Sequence, residues 1–254
     1  SVTKAGAGMG SVTSGEETPS INCSSGTCSA SYDAGTGVTL TATASTGSTF
    51  TGWSGTNAED CSGSTCTFTS LAAAKAVTAT FTLETKTISG SLDGATVSAV
   101  LSGTSTPVSV NNPTGSTYSF TVDYGTSVTV TASKTGYNCT VGGSDSPATM
   151  SVTAVATKNV SCSLNSYALS VSVSGLNGTG LSVSDGSQTL GFSAAGSQTF
   201  TSNVNYGASY NVTVTAQPAN QNCTVASGSS TMPASATTVY VTCGYTIKAV
   251  VSGL

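Results

Sequence analysis

Eight cysteines fall along this chain as Cys23 and Cys28, Cys61 and Cys66, Cys139 and Cys162, Cys223 and Cys243. Thiols so grouped support three chemistries: redox exchange, metal ligation and disulfide cross-linking. Redox exchange of the thioredoxin type needs a C-x-x-C spacing, which does not occur. Cys23, Cys28, Cys61 and Cys66 would supply four thiolates to a zinc ion, although zinc knuckles space their ligands more tightly. An even count, with one or two couples per repeat, fits disulfides made within each module in an oxidising compartment. The two longer loops would staple a terminal strand to an inner one, contributing about 3 kcal/mol each in the chain-entropy model. The two short loops would stiffen turns.

Other catalytic chemistry has little to work with. Histidine and arginine are absent and all six basic residues are lysine, so no Ser-His couple or arginine clamp exists. The carboxylates are dispersed; only Glu16 with Glu17 and Glu59 with Asp60 are adjacent, and strand neighbours point to opposite faces. A loop calcium site at Glu59 and Asp60 lacks the alternating Asp loop of such sites, so solvated loop charge is the reading. Trp53, in TFTGWSG, is either a sugar-stacking platform or, as is commoner in a small β-module, part of the core. A Lys to Asn isopeptide is open to the first two repeats and closed to the third, which has no lysine between Tyr167 and Cys243. The expectation is a chain without catalytic residues, metal or cofactor.

Composition agrees. Roughly a third of the residues are Ser or Thr and only 6% are charged, against a usual quarter, so solubility rests on hydroxyls, amides and a net charge of -4. With 37% hydrophobic residues and a mean hydropathy of +0.15, cores are affordable and disorder is excluded. Scattered lysines in an acidic chain exclude nucleic acid as a partner. No apolar run approaches the ~20 residues of a membrane span, so no membrane insertion is expected.

Strands must position whatever sites exist. GTGVTLTATAS (Gly35–Ser45) reappears as GTSVTVTASK (Gly125–Lys134) and, more loosely, as GASYNVTVTAQ (Gly207–Gln217). Each is a turn glycine followed by alternation of period two, the pattern of a half-buried strand. SASYDA, YSFTVDY and TFTSNVNY alternate upstream, which predicts a recurring hairpin about the glycine. Tyr32, Tyr124 and Tyr206 precede these turns and are expected to pack on neighbouring strands. The repeats divide the chain at 1–83, 86–163 and 167–244. The fold class read from this is all-β, with tandem small β-sandwich or β-grasp-like modules arranged as an elongated rod.

The segment Gly15–Phe81, with INCSSGTCSASYDAGTGVTLTATAS, the GSTFTGWSG stretch at Gly47–Gly55 and a closing VTATF, resembles the divergent internalin B-type repeat of secreted and surface proteins of bacteria. The resemblance implies a small β-fold used as a spacer or adhesive module, without catalysis. One departure is that the chain opens directly at SVTKAGAG, without the family's aromatic lead. The second and third repeats resemble immunoglobulin-type sandwich repeats of bacterial surface proteins.

YTIKAVVSGL (Tyr245–Leu254) restates YALSVSVSGL (Tyr167–Leu176). A lone alternating strand is not stable in water, so it is read either as the start of a truncated fourth repeat or as a strand donated to another molecule through Tyr245, Ile247, Ala249, Val251 and Leu254. The expected function is an extracellular structural protein on the bacterial surface. It would be a filament subunit assembled head to tail by strand addition, or a stalk. The competing expectation is an adhesin or glycan-binding module acting through loops near Trp53.

Overall fold

Alternating sequence becomes alternating burial. In the strand Val38–Ala44, Val38, Leu40 and Ala42 are buried while Thr39, Thr41 and Thr43 turn outward; Val77, Ala79 and Phe81 repeat the pattern in Val77–Leu83. The outward threonines meet across strands. Thr87 lies opposite Thr121 and Thr129 opposite Thr149, with hydroxyl oxygens 3.1 and 3.0 Å apart. Such cross-strand pairs stabilise a sheet by a few tenths to about 1 kcal/mol each.

The computed structural model describes residues 1–15, 18–112 and 115–245. Glu16, Glu17 and the strand positions Ile247, Ala249, Val251 and Leu254 lie outside the described residues. Among those described the fold is all-β, apart from a 3-10 turn at Ala58–Asp60. Among the described residues no helix is long and apolar enough to cross a membrane.

Among the described residues the strands fall into three sets, called the first, middle and last modules below, and no sheet mixes them. In the first, Val2–Ala5, Val77–Leu83 and Ser48–Ser54 form one sheet with Thr27–Cys28 at its edge. The facing sheet is built on Gly10–Thr13, Val38–Ala44 and Thr65–Phe68. Val12, Leu40, Phe68 and Phe81 fill the space between. The middle module sets Thr85–Ser91 and Thr117–Asp123 against Thr96–Leu101, Thr126–Ser133 and Ala148–Val152. The last is organised on Leu169–Ser174 and Thr237–Tyr245, with Leu181, Val183, Met232 and Val241 in its core.

Each module pairs an early strand in parallel with a strand near its end. Val2 lies opposite Val77, Ile88 opposite Ala156 and Leu169 opposite Thr237. By contacts the chain forms two compact units, Ser1–Ala132 with Val141–Val160, and Ser133–Thr140 with Ser161–Leu254.

The expected hairpin about the recurrent glycine does not form. Thr117–Asp123 and Thr126–Ser133, on either side of Gly125, belong to different sheets, and so do Val204–Asn205 and Ser209–Asn211 around Gly207. Ser29–Ala34 is not a strand. The cause lies in the turn's backbone. The Tyr124 N–H donates to the Glu84 carbonyl and the Gly125 N–H to the Val152 carbonyl, which sends the two flanking segments to different partners. Alternation marks both segments as half-buried strands without saying which neighbour each one takes.

Candidate functional site

Disulfides join Cys23 to Cys28, Cys61 to Cys66, Cys139 to Cys162 and Cys223 to Cys243. Every cysteine is therefore bonded to another, and the four-thiolate zinc reading is replaced by two short cross-links. Cys61 faces Cys66, and Cys223 faces Cys243, as direct partners on antiparallel strands. The last of these ties the closing strand of its module to an inner one. Among the described residues, no group of three or more His, Cys, Asp or Glu is placed to hold a metal ion.

Two ion pairs form among the described residues. Lys75 Nζ lies 3.0 Å from Asp60 Oδ2, so the Glu59–Asp60 loop is met by a lysine. Lys4 Nζ donates to the Gly8 carbonyl. Lys86 Nζ is 2.6 Å from Glu84 Oε2, and its hydrogen bond and positive charge hold the Glu84 carboxyl below its ordinary value, with a further hydrogen bond from Thr49. Asp185 is raised by burial but more than offset by the Gln188 and Ser187 N–H groups and the Ser187 hydroxyl, so it too lies below its ordinary value. Burial pushes the Tyr118 phenol up, while its Oη donates to the Lys158 carbonyl.

Trp53 is half-buried on Ser48–Ser54 and packs against the first-module core. Its ring meets Phe50 edge-on at 5.4 Å, and the indole Nε1 is shut away from solvent without a hydrogen-bond partner. A sugar platform presents an open face, whereas this ring is spent on a neighbouring phenylalanine. A pocket of about 350 Å³ lies elsewhere in the first module, lined by Ser1, Tyr32, Ala34, Leu71 and Lys75 among others. Tyr32 donates its hydroxyl to Ser14 Oγ at 3.3 Å.

The most specific arrangement involves Tyr124 and Tyr206. The Tyr124 ring lies over Gly47, where a β-carbon would fall 2.0 Å from Cδ1. The Tyr206 ring lies over Gly136 in the same way, with a corresponding distance of 2.1 Å. Both glycines are buried and have φ of 78°, a left-handed turn that glycine takes without strain. The backbone around each contact is the same. Tyr124 N–H donates to Glu84 O and Glu84 N–H to Gly47 O; Tyr206 N–H donates to Asn165 O and Asn165 N–H to Gly136 O. Glu84 and Asn165 thus each stand between a tyrosine N–H and a glycine carbonyl, Tyr124 and Gly47 within one compact unit and Tyr206 and Gly136 within the other. Lys86 Nζ also stands 5.9 Å from the centre of the Tyr124 ring.

Sequence reasoning placed these tyrosines before a turn and gave them only a neighbouring strand. It missed the paired glycines. The available signal was a Thr-Gly step, Thr46-Gly47 and Thr135-Gly136, at the same distance after each repeated strand.

Tyr245 is the one member of the expected subunit-contact strand that is described. It ends the closing strand opposite Gln221, is exposed, and its hydroxyl accepts a bond from Asn177 Nδ2.

Residues 1–85 match the sequence model of the divergent InlB B-repeat domain, which agrees with the resemblance drawn from Gly15–Phe81. No curated protein matches the chain. Among solved structures, the Bacillus anthracis TIE protein is similar at 10% identity and a TM-score of 0.46, over 96% of this chain and 50% of that one. The chain thus spans about half the length of that protein. The major pilin protein T-13 from Streptococcus pyogenes is similar at 12% identity and a TM-score of 0.22, over 64% of this chain and 97% of that one. At these values neither likeness carries a functional argument.

Proposed function

We propose that this chain is an extracellular structural protein of the bacterial surface, built of three domains at 1–83, 86–163 and 167–244 that bear load in series. The observation that carries the reading is the repeated clamp, Tyr124 on Gly47 and Tyr206 on Gly136. A protein that only displayed a binding loop would have no need of the same ring-over-glycine seat at both of its junctions. The four disulfides support the reading, since each closes within one module and limits how far that module can open under tension. The match of residues 1–85 to the divergent InlB B-repeat domain supports a surface setting.

The finer reading is a filament subunit, in which the segment from Tyr245 onward adds as a strand to an exposed sheet edge of the next copy. Head-to-tail contacts of that kind do not close on themselves and produce a fibre. Negative-stain microscopy and light scattering on the oxidised full chain, beside a chain ending at Gly244, test it. Fibres from the full chain and monomers from the shorter one are expected. Monomers from both would overturn strand addition and leave a surface stalk.

A further inference from the structure

Two aromatic rings stand in the open among the described residues, Tyr240 and Tyr245. The Tyr245 hydroxyl is engaged by Asn177. Tyr240 is 61% exposed, and among the described residues no hydrogen bond or ring contact holds it.

Alternation explains where the ring points. Val239 and Val241 are buried in the last-module core, so Tyr240 projects from the outer face of Thr237–Tyr245. That strand is paired on both sides, with Leu169–Ser174 and with Gln221–Ala226, which sets the ring in the interior of a sheet face. Its cross-strand neighbours are Ser172 and Ala226, both too short to cover a phenol. Hydroxyls surround it, from Thr238 and Thr242 on its own strand, Ser170 opposite Thr238 and Thr224 opposite Thr242. Asp185 is the only charged residue from Tyr167 to Tyr245, and it lies in a turn of a different sheet.

The middle module shows that the fold does not require an exposed ring at this place. Tyr240 stands three residues before Cys243, and Asn159 stands three before Cys162. The Asn159 side-chain oxygen accepts a bond from the Ser91 N–H at 3.0 Å. The sibling side chain is spent within its own module, whereas Tyr240 is not.

A pyranose ring matches this surface. Its C–H face packs on an aromatic ring, and its hydroxyl rim exchanges hydrogen bonds with Ser and Thr. A protein partner would call for a cluster of apolar anchors desolvated together, but the ring here is set among hydroxyls. A charged ligand would find no counter-charge on the face.

We propose that the outer face of the sheet built on Thr237–Tyr245 binds neutral polysaccharide, with Tyr240 as the stacking platform and Ser172, Thr238 and Thr242 as its hydrogen-bonding surround. An open sheet face takes an extended chain lying along it, which points to β-1,4-linked pyranoses. The proposal goes beyond the load-bearing reading by adding what the protein holds, and it places glycan contact in the last module instead of at Trp53.

Cosedimentation of the oxidised full chain with cellulose particles and with chitin particles, at low and high salt, tests it. The unaltered chain should bind at least one of them and stay bound at high salt, because no charge takes part. Tyr240→Ala should weaken binding about tenfold, the scale of one stacked ring. Tyr240→Phe should keep most of it, since stacking needs the ring and not its hydroxyl. Circular dichroism follows folding in each variant. Cellohexaose or chitohexaose, matching the polymer bound, should also shift the Tyr240 ring signals in NMR of the unaltered chain, which reads the contact without any substitution. No binding to either polymer, loss of binding at high salt, full binding by a folded Tyr240→Ala chain, an equal loss in folded Tyr240→Phe, or unmoved Tyr240 signals would each overturn the proposal. Fibre formation is read separately, by the chain ending at Gly244.

Discussion

Cys223 and Cys243 face each other directly across the antiparallel pair that closes the last module, 20 residues apart in sequence. Cys61 and Cys66 also face each other, across a loop of only 5. The loop-closure account assigns the first about 3 kcal/mol and the second about 2. Replacing both Cys223 and Cys243 by Ala should therefore lower the denaturant midpoint of the last module more than the matching change at Cys61 and Cys66 lowers that of the first. Equal shifts would mean that native-state contacts, not loop length, set the effect.

Gly136→Ala should cost about 2 to 4 kcal/mol, from a left-handed turn closed to alanine and from a methyl group driven into the Tyr206 ring. Asn220 is exposed at a φ of 65° and already carries a β-carbon, so Asn220→Ala keeps the turn cost without a new collision and should cost about 1 kcal/mol. Hydrogen exchange at the Asn165 and Tyr206 amides reads the difference. Both should exchange faster in Gly136→Ala and stay protected in Asn220→Ala.

The Glu84 carboxyl is held below its ordinary value by Lys86. A carboxyl with a depressed folded value adds stability above the unfolded value, and that stability is lost as pH falls through the folded one. Acidification below pH 4.5, the ordinary value for this group, should therefore loosen the first junction. In Lys86→Met a side-chain NMR titration of Glu84 should move up towards 4.5. An unchanged midpoint would show that Lys86 is not the cause.

Trp53 is the only tryptophan, which makes its fluorescence a reporter of the first module alone. Trp53→Ala should destabilise that module by about 2 to 3 kcal/mol, the scale for losing a partly buried aromatic side chain. Unchanged stability together with lost glycan adhesion would favour the adhesin reading instead.

The parts of the fold legible in the sequence were those fixed by local chemistry. Val38, Leu40 and Ala42 alternate with threonines, and a period of two suffices to fix strand and face. Long-range pairing was not legible. Nothing near Val2 announces that it will lie beside Val77, because parallel pairing is settled by the closing of the whole core. The misread hairpin has the same origin, since Tyr124 and Gly125 spend their backbone groups on Glu84 and Val152 rather than on each other's strands. The clamp was half legible. Its tyrosines were visible as a repeated mark, but Gly47 and Gly136 passed as ordinary turn residues until the rings above them were seen.

The parallel partnership of Leu169–Ser174 with Thr237–Tyr245 has a mechanical consequence. A module pulled by its two chain ends has one strand drawn backward and its parallel neighbour drawn forward, so the ladder between them is loaded in shear and its hydrogen bonds must fail together. An antiparallel pair pulled from the same edge would unzip one bond at a time. From Leu169 opposite Thr237 to Ser174 opposite Thr242 the last module carries six such registered positions, which makes that ladder the natural candidate for the rupture step in a single-molecule pulling trace.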